Sequence, residues 1–475
     1  MLKKTLSLLL SFILVFSVFS IIPVTVNAEE VTVSGQCGDN VYYTLYADGK
    51  LVISGTGDMG KYDDNWNDTY RKAVTSVEIK DGVTSVSYLA FSGCSALTTI
   101  DIPDSVMKFE NFAFEDCTGL TSVEIPDSVT YIANYAFSGC SGLTSVDLSN
   151  SITAIGMGTF LNCTGLTSID IPDGVKYIRL SAFENCTGLS NITIPDSVTS
   201  IGVFAFGKCT GLESITISDS VTSIDNRCFI GCTSLTGIEI PDSVTSIGQS
   251  AFFDCKSLKD ITIPDSVTSI GEDAFYNTEY YNKADNWENK ILYIDNHLIE
   301  AKTTIVGGCE IKPGTKSIGD EAFEFCKDLS SITIPNSVTN IGVKTFRSCT
   351  GLISVEIPDS ITSVQKEAFI DCSQLNGIYY TGTEEQWKKV KIDDTGNEYL
   401  LNANIHYNSS YILGDVNEDN TLSIVDATEI QKYLVGLRTL TKAQILKGDV
   451  NNDGVLNVTD ATEIQKYLAG ISSSL

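Results

Sequence analysis

The sequence predicts a β-rich solenoid with a small β cap at its amino-terminal end, followed by a small all-α module. Three observations carry this expectation. Cysteines recur at Cys94, Cys117, Cys140, Cys163, Cys186, Cys209, Cys232 and Cys255, each 23 residues after the last, and the period resumes at Cys326, Cys349 and Cys372. A fixed period in the range of about 20 to 50 residues marks a solenoid, whose units bury their apolar faces only against neighbours. Within one unit, Cys117 to Gly139, the residues Leu120, Val123 and Ile125 alternate in a short β pattern. The tail is built differently: the string DATEIQKYL occupies Asp426 to Leu434 and returns 34 residues later at Asp460 to Leu468.

Residues 1–28 read as a secretory signal peptide. Lys3 and Lys4 precede an apolar run from Leu6 to Ile22, and Val26-Asn27-Ala28 offers small residues for cleavage before Glu29. A membrane anchor is the competing reading, disfavoured by the shortness of the run. No other stretch is apolar enough to insert in a membrane, so the mature chain is expected to be secreted. Residues 29–75 lack the repeat, and VYYTLYADGKLVISGTG reads as two alternating strands around Asp48-Gly49, a β-rich cap.

Residues 76–408 are expected to form the solenoid. After Ile125, Pro126 removes a ladder donor and ends the strand, and Asp127-Ser128 turns the chain. Val129 and Ile132 return to the core, and Ala136, Phe137 and Cys140 follow at the spacing of short helical or 3₁₀ turns. Roughly eight inward apolar positions per coil, at about 1.5 to 3 kcal/mol of gross transfer energy each, suffice for a long continuous core. Cys94 to Cys372 is about twelve coils' worth of chain. At about 4.8 Å per coil that gives a body on the order of 60 Å.

The 14 cysteines would suggest disulfides in an exported chain. Stacked in one column about 4.8 Å apart with parallel Cβ vectors, they fit bridge geometry poorly, so a ladder of buried thiols is expected. Cys37, Cys228 and Cys309 lie off the column, and a bridge involving one of them stays open.

The period breaks between Cys255 and Cys326, where Thr278 stands in a cysteine's place. Tyr280, Tyr281, Trp287 and Tyr293 crowd into an insert near 276–302. They form either a ligand surface or an enlarged coil packed on the solenoid, the latter being favoured. TGTEEQWKKV, around Trp387, reads as part of a carboxy-terminal cap near 379–408, and residues from 409 begin a linker and the last module, to 475.

Asp and Glu number 60 against 31 Lys and Arg, a formal net charge of −29. That balance argues against nucleic acid and anionic membrane surfaces. With only His297 and His406, histidine-based catalysis or metal clusters have almost no material. An outward strand column holds Glu78, Asp101, Glu124, Asp147 and Asp170 before passing to threonines. Stacked carboxylates would welcome a cation or basic ligand, but a solvated face with screened charges is the favoured reading.

The recurring LxxVxIP, VxxI, AF and column cysteine resemble the BspA-like, or treponemal-type, leucine-rich repeats of bacterial surface and secreted proteins. The resemblance implies a leucine-rich-repeat solenoid and a role in adhesion or binding.

In the tail, Asp415, Asn417, Asp419, Thr421, Ser423 and Asp426 fall at positions 1, 3, 5, 7, 9 and 12 of a calcium loop. Asp449, Asn451, Asp453, Val455, Asn457 and Asp460 repeat the set. Ca²⁺ is a hard ion seeking roughly six to eight oxygens, and alternate side chains of a tight loop converge on one point, position 7 giving its carbonyl. Two ions are expected. Asp replaces Glu at position 12, Asn420 replaces Gly at position 6 of the first loop, and no clear helix enters either loop. These departures resemble the type I dockerin, a pair of loop-helix units that binds cohesin modules of scaffolding proteins. The resemblance implies cohesin contacts at Ile424, Val425, Val458 and Thr459, with Lys432 and Lys466 on the helices, and a pseudo-twofold module able to dock either way round. Many relatives carry hydroxyl residues where this chain has Ile424, Val425 and Val458.

Together these readings predict a non-catalytic, secreted binding protein. Its solenoid would engage a protein or polysaccharide, and its dockerin would attach it to a cellulosome-like scaffold concerned with polysaccharide breakdown. The alternatives are a glycoside hydrolase of such a complex, against which no cleft with paired carboxylates stands out, and an inert spacer or protease-inhibitor-like arm.

Overall fold

The computed structural model describes residues 30–60, 68–408, 412–451 and 453–475. The expected signal peptide and Ser409-Ser410 of the linker lie outside them. The body is a β-solenoid of about 15 turns followed by a small helical region.

At the amino-terminal end, Val31–Gln36, Val41–Tyr46 and Lys50–Gly55 form an antiparallel meander. The sequence anticipates the last two strands; the first, mostly exposed and pairing only at one edge, offers too little apolar alternation to be read. Lys50–Gly55 then pairs in parallel with Ser76–Ile79 of the first coil, so cap and solenoid share one sheet.

Most coils carry two short strands. In the template coil these are Ser122–Glu124 and Tyr131–Ile132. Both pair in parallel with neighbouring coils, Val123 with Val146 and Ile132 with Phe109. Val129, Ile132, Leu120 and Ile125 are buried, and the turn serine Ser128 donates to the carbonyl of Val106 one coil back at 2.8 Å.

The segment around Ala136 to Cys140 departs from the expectation of short helical turns. Tyr135 and Gly139 adopt φ of 60° and 75°, which no right-handed helix tolerates. Alternate N–H groups instead leave the coil: Tyr135, Phe137 and Gly139 donate to Met157, Thr159 and Leu161 of the next. Ser138 and Cys140 close four-residue turns by donating to Tyr135 O and Phe137 O. The segment is thus a string of turns stitched sideways like a strand, which satisfies every second donor between coils.

Inside, Phe91, Phe114, Phe137, Phe160, Phe183, Phe206, Phe229, Phe252 and Phe275 form a continuous stack with ring centroids 5.0 to 5.7 Å apart. All fourteen cysteines are free thiols, Cys37, Cys228 and Cys309 included. Desolvation pushes the Cys140 and Cys209 thiols up to about 12, keeping them neutral.

In the insert, Thr278 caps the short helix Glu279–Asn282, and Trp287–Glu288, Ile291–Ile294 and His297–Ala301 form an antiparallel set that rejoins the solenoid through Ser317–Ile318. The carboxy-terminal cap holds the helix Glu384–Trp387, with Thr383 and Gln386 forming a capping box, and the last strand Asn404–Tyr407. Among the described residues no helix is long and apolar enough to cross a membrane.

Candidate functional site

The tail folds as two loops, each running into a helix: Ile424–Leu434 and Val458–Leu468. Ser423 and Asn457 cap these helices by accepting from Val425 N and Thr459 N, and Asp426 and Asp460 return the bond to the cap N–H at 2.8 Å. Positions 9 and 12 of each loop therefore build a capping box, which ties loop closure to helix formation. The two helices pack face to face over Val416, Ala427, Ile430, Val450, Leu456, Ala461 and Ile464.

Backbone N–H groups converge on the first carboxylate of each loop. Asp415 accepts from Asp419 N and Asn420 N at 3.2 and 3.1 Å, Asp449 from Asp453 N and Gly454 N at 3.2 and 2.8 Å. Asn420 has φ 65° and Gly454 φ 84°, so asparagine takes the left-handed turn that glycine takes in the second loop. Asn417 and Asn451 accept from the N–H of Asp419 and Asp453 at 2.9 Å; those aspartates accept from Thr421 N and Val455 N at the same distance. The halves thus share this set of backbone-donor bonds.

Asp415, Asp426 and Asp460 are fully buried and Asp449 nearly so. Burial pushes the Asp415 and Asp449 carboxyls upward, the cost of enclosing a carboxylate away from water. Asp419 and Asp453 are exposed, and among the described residues no three carboxylate, imidazole or thiol side chains gather as a metal cluster. The donor set each loop offers is instead mixed: aspartates at positions 1, 5 and 12, an asparagine at 3, Ser423 or Asn457 at 9, and the carbonyl of Thr421 or Val455 at 7. An all-oxygen set of this kind fits a hard divalent cation.

The expectation that no helix enters either loop fails for the second. Lys442–Gly448 leads directly into Asp449, started by a capping box between Thr441 and Gln444. Its shortness hides it from periodicity. Ile424, Val425 and Val458 are 56, 46 and 62% exposed, and Thr459 is also exposed, so apolar residues stand in water beside each helix start. Lys432 and Lys466 pair with Glu429 and Glu463 at 2.8 Å on the same helices.

The insert's aromatics turn their polar tips inward to the chain. Tyr280 donates to Tyr293 O at 3.0 Å, Tyr281 to Glu300 at 3.0 Å, and Trp287 to Tyr281 O at 2.8 Å, while Tyr293 accepts from Lys312 N. Lys302 sits 4.6 Å from the centre of the Trp287 ring. These contacts tie the four aromatics to their own segment and its neighbours. On the solenoid's side, Glu124, Asp147 and Asp170 line an open hollow of about 620 Å³.

The model of the BspA type leucine rich repeat region matches in six copies over residues 69–190, 181–306 and 302–408, and that of the dockerin type I domain matches residues 413–469. No curated protein matches the chain. Among solved structures, a leucine-rich repeat protein from Bacteroides ovatus is 26% identical, covering 78% of this chain and 98% of that one, with a TM-score of 0.45. A leucine rich cell surface protein from Faecalibacterium prausnitzii is also 26% identical, covering 76% and 98%, with a TM-score of 0.36. The leucine rich repeat protein of T. pallidum is 28% identical over 38% of this chain and 91% of its own, with a TM-score of 0.30.

Proposed function

This chain belongs to the family of BspA type leucine rich repeat proteins and ends in a type I dockerin domain, and from that premise we propose that it is an exported, non-catalytic binding subunit held on a scaffold by its tail. The two loops take up Ca²⁺ through Asp415, Asn417, Asp419, Thr421, Ser423 and Asp426, and through Asp449, Asn451, Asp453, Val455, Asn457 and Asp460. Bound Ca²⁺ supplies the positive charge that buried carboxylates need and fixes the loops from which the helices start. The exposed residues Ile424, Val425, Val458 and Thr459, with Lys432 and Lys466, meet a cohesin module, and the solenoid meets a protein or polysaccharide ligand.

The observation that carries this reading is the exposure of Ile424, Val425 and Val458 on two halves whose loops share the same bonds. Apolar side chains so placed cost little in a partner interface and gain by desolvation there. The apolar residues also favour a cohesin with an apolar complement over one that recognises hydroxyls. The test is capture of the full chain by immobilised cohesins, with Ca²⁺ and with chelator. Retention of binding by Ile424→Asp/Val425→Asp and by Val458→Asp/Thr459→Asp separately, with loss in the combined variant, supports docking either way round. Equal capture of the combined variant would remove these residues from the interface.

A further inference from the structure

The outward position of the first strand forms one column along the solenoid, running Glu310, Thr333, Glu356, Tyr379 and His406 through successive parallel pairs. Earlier coils fill it with carboxylates and threonines such as Glu124 and Thr193. Aromatic rings enter at Tyr379 and His406, which stack 4.9 Å apart at 11°. A tyrosine ring on the outer side of a strand should stand in water, yet Tyr379 is 0% exposed. The tail covers it.

The contact is specific in its polar groups. Tyr379 OH donates to Glu418 Oε1 at 2.8 Å, and Lys447 Nζ lies 4.2 Å from the centre of the Tyr379 ring. Gln444 donates to Glu418 Oε2 at 3.4 Å, and His406 Nδ1 lies 4.0 Å from that oxygen. Lys442 donates to Gln374 of the solenoid. Two positions before Tyr379, a side chain at Gly377 would meet Ala443 Cβ at 3.4 Å, so the helix Lys442–Gly448 lies directly on the strand.

Glu418 also belongs to the first loop. It sits between Asn417 and Asp419 with φ 62°, so its backbone is set by the closing of that loop. Lys447, fully buried, lies 4.0 Å from both Glu418 Oε1 and Asp415 Oδ2. One lysine thus faces the loop's first carboxylate and the carboxylate that holds Tyr379. Meanwhile Ile424, Val425 and Val458 remain exposed with the tail in place.

We propose that the outer face of the last two coils, centred on Tyr379 and His406, is a seat for the calcium module of this same chain, and that Glu418 couples seating to Ca²⁺ binding in the first loop. Closing the loop on the ion places Glu418 for Tyr379, and seating in turn orders the loop before the ion arrives; the two effects are equal by linkage. The solenoid is therefore presented at a fixed angle to whatever holds the exposed residues of the module. The inference rests on the calcium reading above.

Two measurements on the full chain test it. Calorimetric titration with CaCl₂ should show that Tyr379→Phe, which keeps the ring and removes the hydroxyl, weakens one of two sites roughly fivefold or more and spares the other. Glu418→Gln should do the same. Hydroxyl-radical footprinting should find Tyr379 protected with Ca²⁺ and labelled after chelation. Wild-type chain that binds two ions while neither variant alters either site, or while Tyr379 is labelled equally with and without Ca²⁺, would overturn the coupling alone. Wild-type chain that takes up no Ca²⁺ would overturn the calcium reading and this inference with it.

Discussion

Cys140 Sγ donates to the carbonyl oxygen of Phe114, 3.1 Å away and 26 residues earlier in the chain. The same bond recurs from Cys163 to Phe137 and from Cys349 to Phe323. The column cysteine is therefore a small apolar group whose thiol adds a second donor to a carbonyl of the preceding coil that already accepts a backbone N–H.

The thiol ladder predicts alkaline sensitivity. Burial moves Cys140 and Cys209 from an ordinary value of 9.0 to about 12. A folded-state value above the unfolded one means that their contribution is complete below pH 9 and is lost as pH rises from 9 toward 12. Denaturant unfolding in a pH series should show the midpoint falling across that window and unchanged by reductant. A midpoint lowered by reductant at pH 7 would reveal bridges instead.

The phenylalanine stack predicts a large cavity effect at mid-solenoid. Phe183 lies 5.5 Å from Phe160 and 5.3 Å from Phe206, and is fully buried. Phe183→Ala should cost about 3 to 5 kcal/mol, measured by denaturant unfolding, and Phe183→Leu much less.

Glu300 predicts a pH effect of the same sign at lower pH. Burial pushes its carboxyl up to about 7, against the hydrogen bond from Tyr281 that pulls it down. The folded value lies above the ordinary 4.5, so stability from this group is present at low pH and is lost as pH rises to 7 and beyond. Glu300→Gln keeps an acceptor for Tyr281 and should stabilise the chain by on the order of 2 kcal/mol at pH 8, with little change at pH 4.5, in paired thermal melts.

Thr278 predicts why the cysteine period stops where it does. Its hydroxyl donates to Phe275 O and accepts from Tyr281 N, both at 3.0 Å, starting the insert's helix. Thr278→Ala should cost about 1 kcal/mol by thermal melting, and Thr278→Ser should recover most of it.

Much of the fold was legible in the residues. A 23-residue period forces stacking, so the core positions Leu120, Val123, Val129, Ile132 and Phe137 follow from spacing alone. The turn string at Tyr135 to Cys140 was not legible, because its apolar spacing fits helical turns and only the left-handed backbone of non-glycine residues distinguishes it. The loop from Asp415 to Asp426 and its copy from Asp449 to Asp460 were legible as loops running into helices, because the same spacing of polar residues returns 34 residues later. Glu418, Lys447 and Tyr379 were not, since their meeting depends on how the tail lies on the last coils. One signal was present: Tyr379 and His406 interrupt a column of carboxylates and threonines.

The measurement that bears most directly on the account is a calorimetric titration of the full chain with Ca²⁺. Saturation at two ions per chain is expected, reduced to one by Asp415→Ala or by Asp449→Ala. Absence of saturable binding in the wild-type chain would contradict it.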